Sequence, residues 1–445
     1  MSKVIKVFTV WLLLLSFSSP AAAYTTQFAD SDETLRLHWN TRLIPIVFST
    51  SLKEQNLSIR PDSDVAGAIE NSLEAWEKAA NVKFQVSWTD KQTVSPTGKS
   101  GDGVSLVTIG QTAENLMMFG GDADTISART RIFYNRKGYI TEADIVLNPY
   151  EQFSTDGAFG TFDFQAILTH EIGHLIGLDH SSVIGATMHE HQGRNGIYNL
   201  ASFSSRTLAE DDIAGIRALY GANPAEENCC GIINGKLFQA NGKAAKDIQV
   251  WAEEATSGRV IAGVLSNSEG SYRIEGLQPG QYKLYTQDVG KDTAKSFSVE
   301  ALGEVNVGKG KIQTLSKKLK SETKDFDIRY VGFNGQVSEL AVPINSGKSY
   351  TIYVGGKNLN SEKVSIGFNS PYLKVRPKSL ANHQYGEDVS VISFEVRVAA
   401  ETPLGEYSFF IKTKNKNTEF AVGSLTVETF VNAWNSYPQS SDEQP

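Results

Sequence analysis

Segment 166–181, AILTHEIGHLIGLDHS, restricts the fold of this chain more than any other stretch of its sequence. His170 and His174 are four residues apart, so on a helix both rings leave the same face and can reach one metal ion. Gly177 lacks a Cβ and can adopt the positive φ that ends a helix, after which the chain can return His180 to the same point. The sequence therefore predicts a helix, a glycine turn and a metal site of three histidines.

Glu171 lies between the first two histidines and suits the role of a proton acceptor. Three nitrogen ligands with an open fourth position are typical of a catalytic zinc, whereas four protein ligands close a structural zinc site. Such a zinc lowers the pKa of its water to about 7, and Glu171 can take that proton and later give it to the leaving amine. We therefore predict one catalytic Zn²⁺ bound by His170, His174 and His180, with Glu171 as the catalytic base. The alternatives are ordinary helix histidines and a degenerate enzyme that keeps the motif without activity.

The motif HEIGHLIGLDHS resembles the HExxHxxGxxH signature of the metzincin metallopeptidases. Ser181 directly follows the third histidine. In this position the motif resembles that of the matrixin branch, which is the family of the matrix metalloproteinases. Met188 in IGATMHEH resembles the methionine turn of that family, in which the methionine packs beneath the zinc and is not a ligand. His189 and Glu190 stand where matrixins usually have Tyr-Pro, a departure that affects the wall of the specificity pocket. The resemblance implies hydrolysis of internal peptide bonds in proteins or peptides.

Residues 37–222 have the pattern of one α/β domain with a mixed sheet. The runs RLIPIVFST, VKFQVSW and GVSLVTIG predict strands, and the helix that follows Pro61 keeps helical apolar spacing. A hairpin is predicted to close at residues 135–138, and the zinc helix is predicted to begin near Phe162. This order of elements resembles the matrixin catalytic domain throughout.

The end of this domain also resembles matrixins, in the run LAEDDIAGIRALYG. The last helix is predicted to start at Thr207, with Glu210 completing a capping box, and to end at Gly221. Matrixins bind substrate as a strand added along a sheet edge, and by this resemblance ITEADIVLN, residues 140–148, is the candidate edge.

Residues 1–23 are predicted to be a signal peptide. Lys3 and Lys6 precede the apolar run VFTVWLLLLSF, and three alanines precede Tyr24. A membrane anchor is the alternative, but the run is shorter than the roughly 18 residues that a spanning helix needs. We expect a mature chain from about Tyr24 that is secreted, extracellular or periplasmic, with no membrane span. The net charge of −8 indicates no basic surface for nucleic acid.

Residues 24–36 form a short N-terminal segment that contains Asp30 and Asp32. Matrixins are commonly kept latent by a propeptide cysteine on the zinc, but no cysteine precedes position 229 in this sequence. Some metzincins use an aspartate in that role, so a carboxylate plug formed by this segment is one hypothesis. A disordered terminus is the alternative.

Other metal sites are less clearly indicated. Asp122 and Asp124 in GGDADT are candidate ligands of a structural Ca²⁺, and a plain turn is the alternative. Matrixins usually hold a second, structural zinc on three further histidines, and residues 40–168 contain none, so we expect that site to be absent. His189 and His191 are expected at the surface or the rim of the pocket.

Residues 223–230 form a polar linker that ends in Cys229 and Cys230. Export permits disulfides, but adjacent cysteines rarely pair without strain. A vicinal disulfide, an intermolecular bridge and two free thiols all remain open at this point.

The remainder of the chain reads as short alternating strands separated by turns. Residues 231–315 resemble the carboxypeptidase regulatory-like module, a transthyretin-like β-sandwich, in which Tyr272 and Tyr282 are expected to be core residues. Residues 324–428 resemble immunoglobulin-like modules of the IPT/TIG type. The polar tail 429–445 is expected to be disordered.

The combined prediction is a multidomain chain in which an α/β (α+β) metzincin catalytic domain is followed by two all-β sandwiches. Its predicted function is that of a secreted zinc metalloendopeptidase that acts on protein or peptide substrates. The alternative is a secreted adhesin or matrix-binding protein with a vestigial zinc domain, whose sandwiches would bind an extracellular protein or a glycan. The intact set of His170, Glu171, His174 and His180 favours the enzyme.

Overall fold

The computed structural model describes residues 26–29, 35–54, 56–98, 100–120, 126–199, 206–290, 296–386 and 388–428. The predicted signal peptide, Asp30, Asp32, the candidate calcium ligands Asp122 and Asp124, and the tail from position 429 lie outside these residues. In the described part of the chain, no helix is both long enough and apolar enough to cross a membrane.

The first domain, which comprises the described residues up to position 222, packs helices against one mixed sheet. Its strands are β1 (His38–Trp39), β2 (Leu43–Ser49), β3 (Lys83–Thr89), β4 (Leu106–Thr108), β5 (Ala128–Tyr134), β6 (Tyr139–Leu147), β7 (Phe153–Ser154) and β8 (Phe162–Asp163). Its helices are α1 (Val65–Ala79), α2 (Ala113–Met117), α3 (Phe164–Leu175) and α4 (Glu210–Tyr220), with short 3-10 helices at Thr50–Leu52 and Ile197–Asn199.

The order of strands corrects the predicted sheet edge. Strand β6 is an interior strand, because it pairs with β1 and β4 on one side and with β5 on the other. The prediction that residues 140–148 form the open edge is therefore wrong. The edge strand next to β6 is β5, which is antiparallel to it, whereas β1, β2, β3 and β4 pair in parallel and β3 forms the far edge. Alternation of apolar residues reveals a strand but not its neighbours in the sheet.

Helices α1 and α3 are each capped at the N-terminus and are joined to each other by one tryptophan. The carboxylates of Asp64 and Asp163 each accept a hydrogen bond from a backbone amide in the first turn of the helix that follows. Trp76 of α1 is fully buried, and its indole N–H donates to the carbonyl of Thr169 in α3. Helix α3 is thus fixed between α1 and the sheet.

Helix α4 begins at Glu210 rather than at Thr207. The amide of Ala209, just before the helix, donates a hydrogen bond to the carboxylate of Asp212. The predicted capping box of Thr207 and Glu210 is therefore wrong. The carbonyl of Thr207 instead accepts a hydrogen bond from the Thr187 hydroxyl, which keeps this residue outside the helix. The predicted end of the helix is confirmed at Gly221, whose φ is +80°.

The C-terminal region is mostly β, and its first half forms the second domain. The strands are β9 (Gly231–Phe238), β10 (Ile248–Glu254), β11 (Val260–Leu265), β12 (Ser271–Leu277), β13 (Gly280–Asp288), β14 (Ser296–Phe297), β15 (Glu300–Val307), β16 (Ile312–Thr314), β17 (Lys317–Lys318) and β18 (Ser321–Glu322). The sheets β11-β10-β13-β15 and β12-β9-β16 enclose an apolar core, and β17 and β18 extend this domain beyond the predicted limit at residue 315.

Two tyrosines lie in the core of the second domain, and two cysteines directly precede its first strand. Tyr272 and Tyr282 are buried in the core, and their hydroxyls donate to the carbonyls of Leu315 and Gln278, as expected of core residues. Cys229 and Cys230 are bonded to each other as a vicinal disulfide.

The third domain, residues 326–428, also has two sheets around a core. Its strands are β19 (Asp327–Phe333), β20 (Gln336–Ser338), β21 (Val342–Ile344), β22 (Ser349–Lys357), β23 (Val364–Phe368), β24 (Leu373–Val375), β25 (Ala381–Gln384), β26 (Ser390–Val398), β27 (Gly405–Thr413) and β28 (Thr418–Val427). One sheet has the order β20-β19-β22-β26-β24, and the other has the order β21-β28-β27-β23.

All three domains meet in one apolar cluster, which we call the three-domain junction. Its buried residues are Val183, Ala186 and Ala209 of the first domain, Trp251 and Val260 of the second, and Phe420 and Val422 of the third. The indole of Trp251 stacks on Tyr285 and packs against Phe420. The Gln287 side-chain amide both donates to the Phe420 carbonyl and accepts from its amide, so the second and third domains are joined by polar contacts as well.

A buried carboxyl in this interface predicts a pH dependence of stability. Glu406 of β27 packs against Gly185 of the first domain, and burial, with a smaller contribution from the charge of Asp212, raises the pKa of Glu406 to about 8 from 4.5. Because the folded state binds this proton more tightly than the unfolded state, the stabilisation is fully present below about pH 4.5 and is lost as the pH rises to about 8.

We therefore expect Glu406→Gln to raise the melting temperature relative to the parent at pH 8 but not at pH 5. At pH 8 the expected gain in the free energy of unfolding of the variant is on the order of a few kcal/mol. Thermal unfolding at the two pH values measures it, with Glu401→Gln, at an exposed turn of the same domain, as control. An equal shift at both pH values would contradict the assignment.

Candidate metal centre

The structure brings the three predicted histidines to one point. The Nε2 atoms of His170 and His174 are 3.1 Å apart, and those of His174 and His180 are 3.3 Å apart. Two nitrogens bound tetrahedrally to one zinc at about 2.0–2.1 Å would lie roughly 3.3–3.4 Å apart. Among the residues that the structure describes, this is the one group of His, Cys, Asp and Glu side chains close enough to hold a metal ion.

Backbone carbonyls orient the first two rings. The Nδ1 atom of His170 is 2.8 Å from the carbonyl oxygen of Thr187, and Nδ1 of His174 is 2.9 Å from that of Leu178. A carbonyl oxygen only accepts hydrogen bonds, so each Nδ1 carries the proton and each Nε2 presents a lone pair to the common point. The two rings are therefore set in the tautomer that binds a metal through Nε2.

The turn after α3 delivers the third histidine. Gly177 has a φ of +102°, and a Cβ on it would come within 2.3 Å of the Leu37 carbonyl oxygen, so both conformation and space require glycine there. His170 is buried, His174 is intermediate and His180 is exposed. This gradient leaves the site open to solvent on the side of His180, where a substrate could enter.

The surroundings keep these histidines neutral. Burial lowers the pKa of all three, well below the ordinary value for His170 and to about 4 for His174, where the charge of His180 acts in the same direction. Neutral imidazole is the form that binds metals. The cluster is therefore ready to bind a cation at neutral pH without first losing protons.

The sulfur of Met188, the residue of the predicted methionine turn, lies against α3 at Gly173. A Cβ on Gly173 of α3 would come within 2.2 Å of the Met188 sulfur, so the glycine makes room for the methionine. The amides of Thr187 and Met188 both donate to the carboxylate of Asp212 in α4. Asp212 therefore fixes the turn whose Thr187 carbonyl orients His170, a role that no local motif indicates.

Glu171 is buried next to the histidines, and burial raises its pKa to about 7. The hydroxyl of Thr130, on the edge strand β5, donates a hydrogen bond to the Glu171 carboxylate and partly offsets this effect. A carboxyl with a pKa near neutrality can both accept and return a proton at physiological pH. Thr130 was not identified from the sequence, because its contact with Glu171 depends on the pairing of β5 in the sheet.

Two glutamines were also missed by the sequence analysis. Gln27 donates to the carbonyl of Leu178 over 3.0 Å, and Gln192 donates to the carbonyls of Thr187 and His189 over 3.3 and 3.0 Å. The carbonyls of Leu178 and Thr187 are those that orient His174 and His170. Each glutamine thus supports the acceptor of one histidine from a distant part of the chain.

The remaining histidines near the site do not join the cluster. Nε2 of His189 is 3.0 Å from the carbonyl of Glu339, and Nε2 of His191 is 2.8 Å from the Glu339 carboxylate. Both rings therefore face the third domain. His191 is exposed and lines a small cavity beside α3, which agrees with the predicted position at the surface or the rim of the pocket, and His189 is partly buried.

Comparisons with known proteins agree with this geometry. The matrixin model matches residues 38–221, and the carboxypeptidase regulatory-like domain model matches residues 232–320. Metalloendoproteinase 1 of Glycine max is 46% identical over 67 residues, which is 14% of this chain and 18% of that protein. Matrilysin of Mus musculus is 44% identical over 71 residues, which is 16% of this chain and 25% of that protein.

The chain thus matches a quarter or less of the length of these two relatives. Among solved structures, the major pilin subunit BcpA of Bacillus cereus aligns with 45% of this chain and 69% of its own, at 15% identity and a TM-score of 0.18. The family matches place the three histidines within the first matched segment, and the chain contains a matrixin domain of the metzincin metallopeptidases, followed by a carboxypeptidase regulatory-like domain.

Proposed function

We propose that this protein is a secreted zinc metalloendopeptidase that hydrolyses internal peptide bonds of proteins. The observation that carries the proposal is the buried Glu171 beside three histidine Nε2 atoms that converge at zinc-binding spacing. The matrixin match and the metalloendoproteinase relatives support the same reaction class. The predicted signal peptide supports secretion, and the vicinal disulfide suits an oxidising compartment.

His170, His174 and His180 would hold the ion, since their Nε2 atoms converge at one place. A zinc ion bound there supplies Lewis acidity that activates water and polarises the peptide carbonyl. Glu171 accepts the proton of the attacking water and then donates it to the nitrogen of the leaving amine, so its carboxylate is regenerated when the peptide bond breaks. The Thr130 hydroxyl holds that carboxylate in place during both transfers.

The open edge of the sheet offers a binding mode for the substrate. Strand β5 pairs with β6 on one side, and among the described strands it has no partner on the other. An extended peptide can add to such an edge through hydrogen bonds of its backbone. This mode of binding depends little on most of the peptide's side chains. Thr130 lies on this strand and contacts Glu171, so a peptide on the edge passes beside the base.

The principal test is the Glu171→Gln variant of the chain from Tyr24, assayed on a mixed library of fluorogenic peptides. We expect kcat/KM to fall by at least about 10²-fold, because general acid–base catalysis contributes that much or more. Zinc content should stay the same, since Glu171 is not a ligand. Glu70→Gln, on the exposed face of α1, is the matched control and should remain active.

Equal activity of parent and Glu171→Gln would refute the proton-transfer role. Zinc bound without any activity in the parent would instead support the vestigial-site alternative, in which the C-terminal domains carry the function.

Removal of one histidine tests the metal site itself. His180→Ala should weaken zinc binding by more than the roughly 10–100-fold that the loss of an outer hydrogen-bonding partner costs. Zinc retained after dialysis against a graded chelator series measures the change, with His383→Ala in the third domain as control. Equal retention by both variants would contradict the three-histidine site.

The hydrogen bond from the edge strand can be tested on its own. Thr130→Val should lower kcat by roughly 10-fold or more, because a hydrogen bond to a charged group contributes about 1.5–3 kcal/mol. Thr130→Ser keeps the hydroxyl and should restore most of the rate. If the valine and serine variants were equally active at equal zinc content, Thr130 would not position Glu171.

A further inference from the structure

The loop that follows the methionine turn, residues 189–199, links the metal centre to the third domain. At its start, Gln192 donates to the Thr187 carbonyl that orients His170. In its middle, the side chain of Asn195 donates to the Thr161 hydroxyl, which ties the loop to the segment before α3. We call these residues the pocket loop.

The far end of the pocket loop is anchored in another domain. Tyr198 is 0% exposed and belongs to the apolar core of the third domain. Its hydroxyl lies 3.1 Å from the Val331 carbonyl, 3.0 Å from the Leu340 carbonyl and 2.5 Å from the Ser338 hydroxyl. The aromatic ring thus leaves the metallopeptidase domain and fills a site between β19 and β20.

The backbone of Tyr198 is held as firmly as its side chain. Its amide donates to the side-chain oxygen of Gln336 over 2.7 Å, and its carbonyl accepts from the Asn334 amide over 2.8 Å. Its φ of +57° is one that L-residues adopt rarely, and these contacts hold it there. Because every one of these partners lies in the third domain, that domain determines where the pocket loop ends.

A small cavity lies between the pocket loop, α3 and the third domain. Ala166 and Ile167 form its wall on α3, and they lie one turn before His170 on the same side of the helix. Gln192 lines it from the pocket loop, and Ala341 and Pro343 close it from the third domain. Its volume is about 30 Å³, which is space for roughly two waters.

We propose that the third domain forms the floor of the substrate side-chain pocket and that Tyr198 is the positioning residue that fixes the pocket loop on this floor. The proposal rests on the proposed peptidase function and on the position of the cavity, whose wall on α3 lies one turn before His170. The substrate class it implies is a peptide with a small side chain beside the bond that is cut. Cleavage specificity therefore depends on a domain outside the metallopeptidase domain.

The test uses the full chain from Tyr24 and peptides that differ only in the residue after the scissile bond, Ala, Leu or Phe. Ala341→Leu fills the cavity from the third domain. We expect it to lower kcat/KM for the Leu peptide relative to the Ala peptide by roughly 10-fold or more, the discrimination that a methylene group or two gives in a tight pocket. Ala400→Leu, at an exposed turn of the same domain, is the matched control and should leave the ratio unchanged.

The positioning role of Tyr198 needs a separate variant. Tyr198→Phe keeps the ring and removes the hydroxyl, and Gln336→Ala removes the acceptor of the Tyr198 amide from the third-domain side. Both should raise the relative kcat/KM of the Phe peptide by several-fold and speed hydrogen exchange in the pocket loop, while zinc content is unchanged. A purely structural role would lower the rate on all three peptides by the same factor.

The outcomes separate this inference from the proposed function. An active parent whose peptide preference is the same in Ala341→Leu, Tyr198→Phe and Gln336→Ala overturns the pocket floor and leaves the peptidase in place. A zinc-loaded parent that cleaves none of the peptides or the mixed library overturns both.

Discussion

The metal centre depends on hydrogen bonds from histidine Nδ1 atoms to two backbone carbonyls. The carbonyls of Thr187 and Leu178 accept hydrogen bonds from Nδ1 of His170 and His174 and so orient the two rings. Without these acceptors, nothing would keep the two Nε2 lone pairs directed at the same point. The Leu178 carbonyl belongs to the turn that directly follows α3. The Thr187 carbonyl belongs to the methionine turn, which no part of α3 can place. The position of that turn is therefore the constraint on which the rest of the site depends.

The methionine turn is in turn held by the acidic start of α4. Asp212 accepts from the amides of Thr187 and Met188, and its neighbour Asp211 accepts from the Ser181 hydroxyl and from the Gly263 amide in the second domain. Burial raises the pKa of both carboxyls, and to about 7 for Asp211, so their ionised forms need these donors. The same short segment thus fixes the metal ligands on one side and docks a β domain on the other.

This arrangement gives the C-terminal domains a direct physical relation to the candidate metal centre. The second domain contacts the start of α4, the third domain holds the pocket loop through Tyr198, and all three meet around Trp251. Contacts of this kind are apolar at the centre and polar at the rim, as in stable interfaces. Domains docked in this way constrain the loops of the matrixin domain, which a flexibly tethered spacer would not do.

The sequence alone predicted the three candidate ligands, the candidate base and the helix and turn that carry them. The spacing of His170, His174 and His180 is local, so helix geometry and the freedom of Gly177 bring these rings together. The carbonyl that orients His170 comes from the methionine turn, which is a separate segment. Tertiary structure alone decided that β5 rather than β6 is the sheet edge, that Thr130 contacts Glu171, and that Tyr198 lies in another domain. These contacts join residues far apart in the chain through strand order and domain docking, and no periodicity along one segment records which distant segment will pack against it.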